Sequence, residues 1–449
     1  MNQQTSAVLL AEIAKLLGLE VISSPWAIIL VQFSDQTDKW PPMSKYQQLF
    51  TTAGSDKLNI VNFFAEMSHG KLDMSANKVF GPYTLDAKLS NYGNYPPGAT
   101  PPGKVNRIDL INLAKSAATA AGVNLSSFSG VCVSCLGAVD LFGVLGGMAM
   151  VCDTNSLDVS GPPQEFMHGY GLMHSKLYGS TAEYRDPWDV MSNYNIYESS
   201  NPDFTVVGPG LNAWNMRWLG WLNETRVWTT PTNAWDEVVQ LRPLHRTDLE
   251  GFLAAQVGPY LVEFRVPQRW DTAIPRACVQ VHSNTDNYSV LHPAYSGSRD
   301  IVQGDKFVFG DPSDTEFTGY YAVEVTKIDE PNLTATVKLN QRSPHPHRNP
   351  VLVGEAFGGV QVDGGGIVII GGILIKVPPR GPVRELVENL ARYLRADFSR
   401  NNVAAALAGQ RAALEGIVSN VLALYSEAEE LTERPPGYSK LRDPSPKSK

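Results

Sequence analysis

Three kinds of apolar spacing succeed one another along the chain. Up to about Trp228, continuous apolar and β-branched runs (WAIILVQF from Trp26, GVCVSCLGAV from Gly130, GMAMVC from Gly147) alternate with stretches at helical spacing. Val105 to Ala121 is one such stretch, with Ile108, Leu110, Ile111 and Leu113 recurring along it. Short runs of the first kind read as strands buried on both faces, and their alternation with helices predicts an α/β layout. A helix around Gln164 lies at its centre, with Gly147 to Cys152 expected as the sheet's edge strand just before it. From Thr230 to Leu339 the period changes to two. Short alternating runs (YLVEFRV, ACVQVHS, KFVFGD, YAVEVTKID, TATVKL), separated by Gly, Pro, Asn and Asp, predict an antiparallel β-sandwich.

Beyond Leu339 the pattern breaks up. Ser343 to Pro350 (SPHPHRNP) reads as a linker, in which His345 and His347 sit on a solvated Pro-rich hinge. Gly358 to Val377 is glycine-rich and apolar. It has no Gly-Lys-Ser/Thr to make a phosphate loop and is too glycine-broken for a membrane span, so tight apolar turns or a hairpin are expected. Helical stripes return with Val383, Leu386, Leu390 and Leu394, and again with Val403, Leu407, Leu414, Ile417, Val421 and Leu424. The Pro-, Lys- and Ser-rich tail from Arg434 is expected to be disordered. The organisation is therefore 1–228, 229–342, a linker with apolar turns over 343–380, a helical segment over 381–433 and a tail over 434–449. The fold class is α+β, with a helical C-terminal segment.

Composition narrows the partners. A formal charge of -8 over 449 residues with no basic run argues against nucleic acid and anionic membrane surfaces. The oligomeric state is not encoded in any visible pattern. Ala7 to Leu19 is apolar at helical spacing, but Glu12 and Lys15 interrupt it and no basic cluster precedes it, so an amphipathic helix is expected rather than a secretory signal. Four cysteines make no disulfide scaffold. Cys132 and Cys135, three apart in a strand-like run, should point to opposite sheet faces, and Cys152 and Cys278 read as buried thiols.

The chemistry concentrates in Gln164-Glu165-Phe166-Met167-His168-Gly169-Tyr170-Gly171-Leu172-Met173-His174. Apart from Gln164 in place of the first histidine, this is the zinc-peptidase pattern HExxHxxGxxH. On a helix, positions 164 and 168 share one face, one turn apart. Glu165 is rotated by about 100° from its neighbour, where a carboxylate can touch a metal-bound water without ligating the metal, as a general base must. Gly171 can take the left-handed conformation that ends a helix and brings His174 round as a further ligand. Asp186-Pro187-Trp188-Asp189-Val190-Met191-Ser192 follows where metzincins place a methionine turn, and Tyr194 lies within reach of an oxyanion.

At these residues the chain resembles the immune inhibitor A-like zinc metallopeptidases. Trp26 to Asp35, the turn Ser68-His69-Gly70-Lys71-Leu72, Leu211 to Leu222, and Tyr260 to Arg265 with Trp270-Asp271 and Ile274-Pro275 resemble that family in the same order. Together they span roughly 26 to 340, and the likeness stops at the linker. The resemblance implies a zincin-like catalytic domain over 1–228 and a secreted protein, although no signal peptide is visible. It further implies zinc held by His168 and His174, with Gln164 or an extra water completing the shell, Glu165 and Tyr194 catalytic, and a peptide or protein as substrate. Asp35 and Asp153 are candidate calcium ligands. A glutamine amide oxygen is a harder, less basic donor than imidazole and weakens the zinc site. The chain is therefore read as a metalloendopeptidase, with a non-cleaving, peptide-binding pseudopeptidase as the alternative.

Overall fold

Trp26–Phe33 (β1) is buried at every position except Gln32, as a strand covered on both faces requires. The computed structural model describes residues 21–342, apart from 97, 232 and 312–318, together with the backbone of short strands between 361 and 377. β1 joins Lys78–Leu85 (β2), Gly130–Cys135 (β3), Phe142–Val144 (β4) and Ala149–Asp153 (β5) in a five-stranded sheet of order β2-β1-β3-β5-β4. The first four run parallel, and β4 is antiparallel to β5.

The edge strand is thus β4, and not Gly147 to Cys152 as the sequence suggested, because β5 is paired on both sides. The turn through Gly146, at φ +66, folds the chain back so that the short run Phe142–Val144 closes the sheet.

Helices cover both faces. Met43–Phe50 (α1), Ile60–Met67 (α2) and Gly161–Gly169 (α4) share a core with Trp26, Ile28, Leu30, Cys132, Met150 and Cys152. Arg107–Ala120 (α3) packs on the opposite face against Ala27, Ile29, Val31, Val133 and Cys135. Cys132 and Cys135 therefore do lie on opposite faces, and all four cysteines are buried free thiols. α3 starts in a capping box, Asn106 and Asp109 each satisfying the other's backbone N–H. Its buried stripe is Leu110, Ile111, Ala114 and Ala118, whereas Ile108, apolar and in the same helical run, is exposed. Two residues before Leu110, it falls about 200° round the helix from that stripe.

Residues 227–342 form two facing sheets. One has the order Val227–Thr229 (β7), Ala254–Val257 (β9), Tyr260–Arg265 (β10), Cys278–Thr285 (β11), Tyr288–His292 (β12) and, last, Lys176–Leu177 (β6). The other is Asn233–Leu241 (β8), Thr334–Arg342 (β15), Tyr320–Asp329 (β14) and Lys306–Phe309 (β13). Val262, Phe264, Val279 and Val281 of the first pack with Val323, Val325, Val337 and Leu339 of the second. Pairing is antiparallel except for the outermost β7 and β6. β6, two residues after His174, thereby stitches the segment behind the candidate site into the sandwich sheet. Ala213–Trp218 (α5) borders that junction, with Asn212 as its cap.

Strands therefore outweigh helices in this mixed α/β chain. No helix among the described residues is long and apolar enough to cross a membrane. Separately, Gln361–Val362, Gly365–Ile370 and Ile373–Val377 form a three-stranded sheet. The expected helix at Ala7 to Leu19, the hinge histidines His345 and His347, the helical segment 381–433 and the tail 434–449 lie outside the described residues.

Candidate active site on helix α4

α4 is short, and all nine of its residues are buried. Asp158 Oδ1 accepts the amides of Ser160 and Gly161, both at 2.9 Å, and Pro162 and Pro163 occupy the first turn, where a missing N–H costs nothing. Its far end is fixed by the fully buried Trp26. That ring meets Phe166 edge-on at 4.6 Å and donates from Nε1 to the Tyr170 hydroxyl at 3.0 Å. On the remaining side β4 crosses very close: a Cβ at Gly143 would stand 2.3 Å from the Glu165 carbonyl oxygen and 2.8 Å from His168 Cβ.

The helix ends as its glycine spacing predicts. Gly171 has φ +96, its amide donates to the His168 carbonyl at 2.9 Å, and the Leu172 amide donates to the Met167 carbonyl at 3.1 Å. This Schellman closure turns the chain back, so that the His168 and His174 rings meet edge to face with centroids 4.7 Å apart.

Each imidazole has its Nδ1 assigned. His168 Nδ1 lies 2.7 Å from the Leu172 carbonyl, and His174 Nδ1 lies 2.5 Å from Glu183 Oε2. A carbonyl and a carboxylate only accept, so both Nδ1 atoms carry the hydrogen and Nε2 is the nitrogen that each ring turns away from these partners. Second partners of this kind orient metal-binding histidines. Burial drives the His168 pKa down to about 4, which keeps the ring neutral. His174 Nε2 is met by the Tyr184 hydroxyl at 2.8 Å, the two rings stacking at 4.0 Å.

Gln164 behaves differently from a ligand. Its Oε1 accepts the Asn193 amide at 2.9 Å and its Nε2 donates to Glu165 Oε1 at 3.1 Å. A backbone N–H can be met only by an acceptor, so the amide orientation is set by that contact. The side chain thus bridges Glu165 to the turn that contains Met191. Burial raises the Glu165 pKa to about 7, opposed by hydrogen bonds from Gln164 and the Gly143 backbone. The two histidines therefore fit a zinc ion, while the Gln164 oxygen, as oriented, does not.

Met191 lies fully buried in the 3₁₀ turn Val190–Ser192. Asp189 holds that turn, accepting the Met191 amide at 2.9 Å, Ser175 Oγ at 3.0 Å and Asn215 Nδ2 at 2.7 Å. Behind it lies a buried charge cluster. Asp186 Oδ2 is 2.8 Å from His282 Nε2, and Arg265 meets Glu263 at 3.1 Å and Asp271 at 2.5 Å. Asp271 in turn accepts the Gly210 amide at 2.9 Å, and Glu263 accepts the Ala213 amide at 2.5 Å.

Tyr194, expected to aim at the oxyanion, is 81% exposed at φ +74, while Tyr184, which the sequence did not single out, touches His174. Glu183, Tyr184 and Asn193 carry no periodicity or motif by which they could have been found. Asp35 Oδ1 accepts the Leu89 amide, and Asp153 accepts the Val139 and Asn155 amides and Ser156 Oγ, so both calcium candidates brace loops. Among the described residues, no three His, Cys, Asp or Glu side chains are grouped to hold a metal. Compared with known proteins, the chain matches no family model and no curated protein.

Proposed function

We propose that the chain is a zincin-like metalloendopeptidase related to the immune inhibitor A-like peptidases, with a peptide or protein as substrate. One observation carries the reading. A buried carboxylate, Glu165, stands on the same helix as His168, which is paired with His174 across a Schellman turn, and both rings present Nε2 with Nδ1 pinned. Zinc, when bound at His168 and His174, would acidify a water and polarise the scissile carbonyl. Glu165 would be the group that accepts a proton from the attacking water and returns it to the departing amine. Its pKa near 7 suits both halves of the transfer. Edge strand β4, lying against α4, offers an extended peptide a backbone to pair with.

A second reading, a cleft that binds peptide without cutting it, is favoured by the engagement of the Gln164 oxygen with Asn193. Zinc-loaded full-length protein assayed on casein and a broad peptide library separates the two. The first reading expects cleavage that is lost on chelation. It also expects cleavage to fall by about 10²- to 10⁴-fold in Glu165→Ala, with zinc content retained. Stoichiometric zinc without any cleavage would establish the second.

A further inference from the structure

We propose that Tyr184 supplies the metal donor that Gln164 does not, so that the protein ligands are His168 Nε2, His174 Nε2 and the Tyr184 phenolic oxygen; this rests on the reading of the site as a zinc site. The Tyr184 oxygen already lies 2.8 Å from His174 Nε2. Two donors bound to one tetrahedral zinc at about 2.0–2.1 Å each stand about 3.3 Å apart. Opening the existing pair by about half an ångström turns a hydrogen bond into a shared coordination edge, the phenolic proton passing to solvent water as the metal takes both lone pairs. The Gln164 oxygen would instead have to abandon a buried backbone N–H.

The backbone supports a dedicated role for Tyr184. It holds φ +60, a conformation that costs a bulky residue on the order of 1 kcal/mol or more and persists where surrounding contacts impose it. Here those contacts are the 4.0 Å ring stack on His174 and the bond from the preceding residue, Glu183, to the same imidazole. Consecutive residues thus orient His174 from both of its nitrogens. A phenolate also replaces part of the ligand strength that a neutral amide oxygen lacks.

The test uses metal binding rather than turnover. Copper(II) titrated into the full chain should develop the visible charge-transfer absorption of a copper phenolate, which is absent in Tyr184→Phe. Zinc should bind Tyr184→Phe at least about tenfold more weakly. Phenylalanine keeps the ring stack, and Tyr184→His, which offers nitrogen instead, should keep zinc while losing the band. The proposal is overturned if the band survives in Tyr184→Phe, if that variant binds zinc as tightly as the wild type, or if the wild type takes up neither metal. A Tyr184→Phe protein that keeps zinc and cleaves peptide refutes this donor set but not the peptidase reading. A wild type that shows the band and cleaves nothing does the reverse.

Discussion

Replacing Gln164 by histidine should move two measurements in opposite directions. Gln164 is 2% exposed, and its amide oxygen is the partner of the buried Asn193 N–H. An imidazole whose Nε2 faces the metal leaves that N–H without an acceptor, a loss of about 1–3 kcal/mol. Glu165 also loses the Gln164 donor that opposes burial, so its pKa moves above the present value of about 7. The metal-free variant should therefore be less stable than wild type by about 1–3 kcal/mol in urea unfolding under chelator. With zinc the gap should narrow. Exchange of an amide oxygen for imidazole strengthens binding at least about tenfold, so at the same saturating zinc the variant gains about 1.4 kcal/mol more than the wild type. Unfolding midpoints with and without zinc, beside calorimetric titration, give both numbers. A variant as stable as wild type under chelator would show that the Gln164 bridge does not brace the turn. Unchanged zinc affinity would show that position 164 does not face the metal.

Two further substitutions test the frame behind the site. Arg265→Met should destabilise the protein by about 3–5 kcal/mol, because Glu263 and Asp271, both buried, lose their cation. Further replacement of Glu263 and Asp271 by Gln and Asn should recover part of that loss in the same urea series. His245→Leu should stabilise. Neither ring nitrogen has a hydrogen-bond partner, and burial lowers its pKa to about 3, so the ring is neutral when folded and titrates near 6.5 when unfolded. A depressed histidine contributes stability that is present above pH 6.5 and lost as pH falls towards 3, so the advantage of leucine should grow by up to about 1.4 kcal/mol per unit below pH 6. A difference between variant and wild type that stays constant from pH 7 to 4 would contradict this.

The sequence carried the parts of the fold that depend on burial period. β1, β3 and β5 are apolar at almost every position because a covered parallel sheet leaves no solvent face, and the same local rule made Cys132 and Cys135 point apart. The two-residue period beyond Thr230 likewise corresponds to two facing sheets, one of them completed by β6 from an earlier part of the chain. What the period cannot encode is pairing order. β4 and β5 carry similar apolar runs, and only the Gly146 turn and the close approach of Gly143 to α4 decide which of them ends the sheet.

The site divides along the same line. Glu165, His168, Gly171 and His174 were legible because a helix and its Schellman closure fix where they stand from spacing alone. Glu183, Tyr184 and Asn193 reach the same place through irregular chain, by the left-handed backbone of Tyr184 and the Asp189-capped turn. Those contacts change what the motif's departure means. Read by residue type, Gln164 is a poor ligand in a ligand's position. In the folded chain it joins the proposed base to the turn that contains Met191, while the Tyr184 hydroxyl sits on His174 Nε2. Position 164 therefore holds a brace where the motif has a donor, and on the donor set proposed above the missing ligand comes from Tyr184, a residue that belongs to no part of the motif.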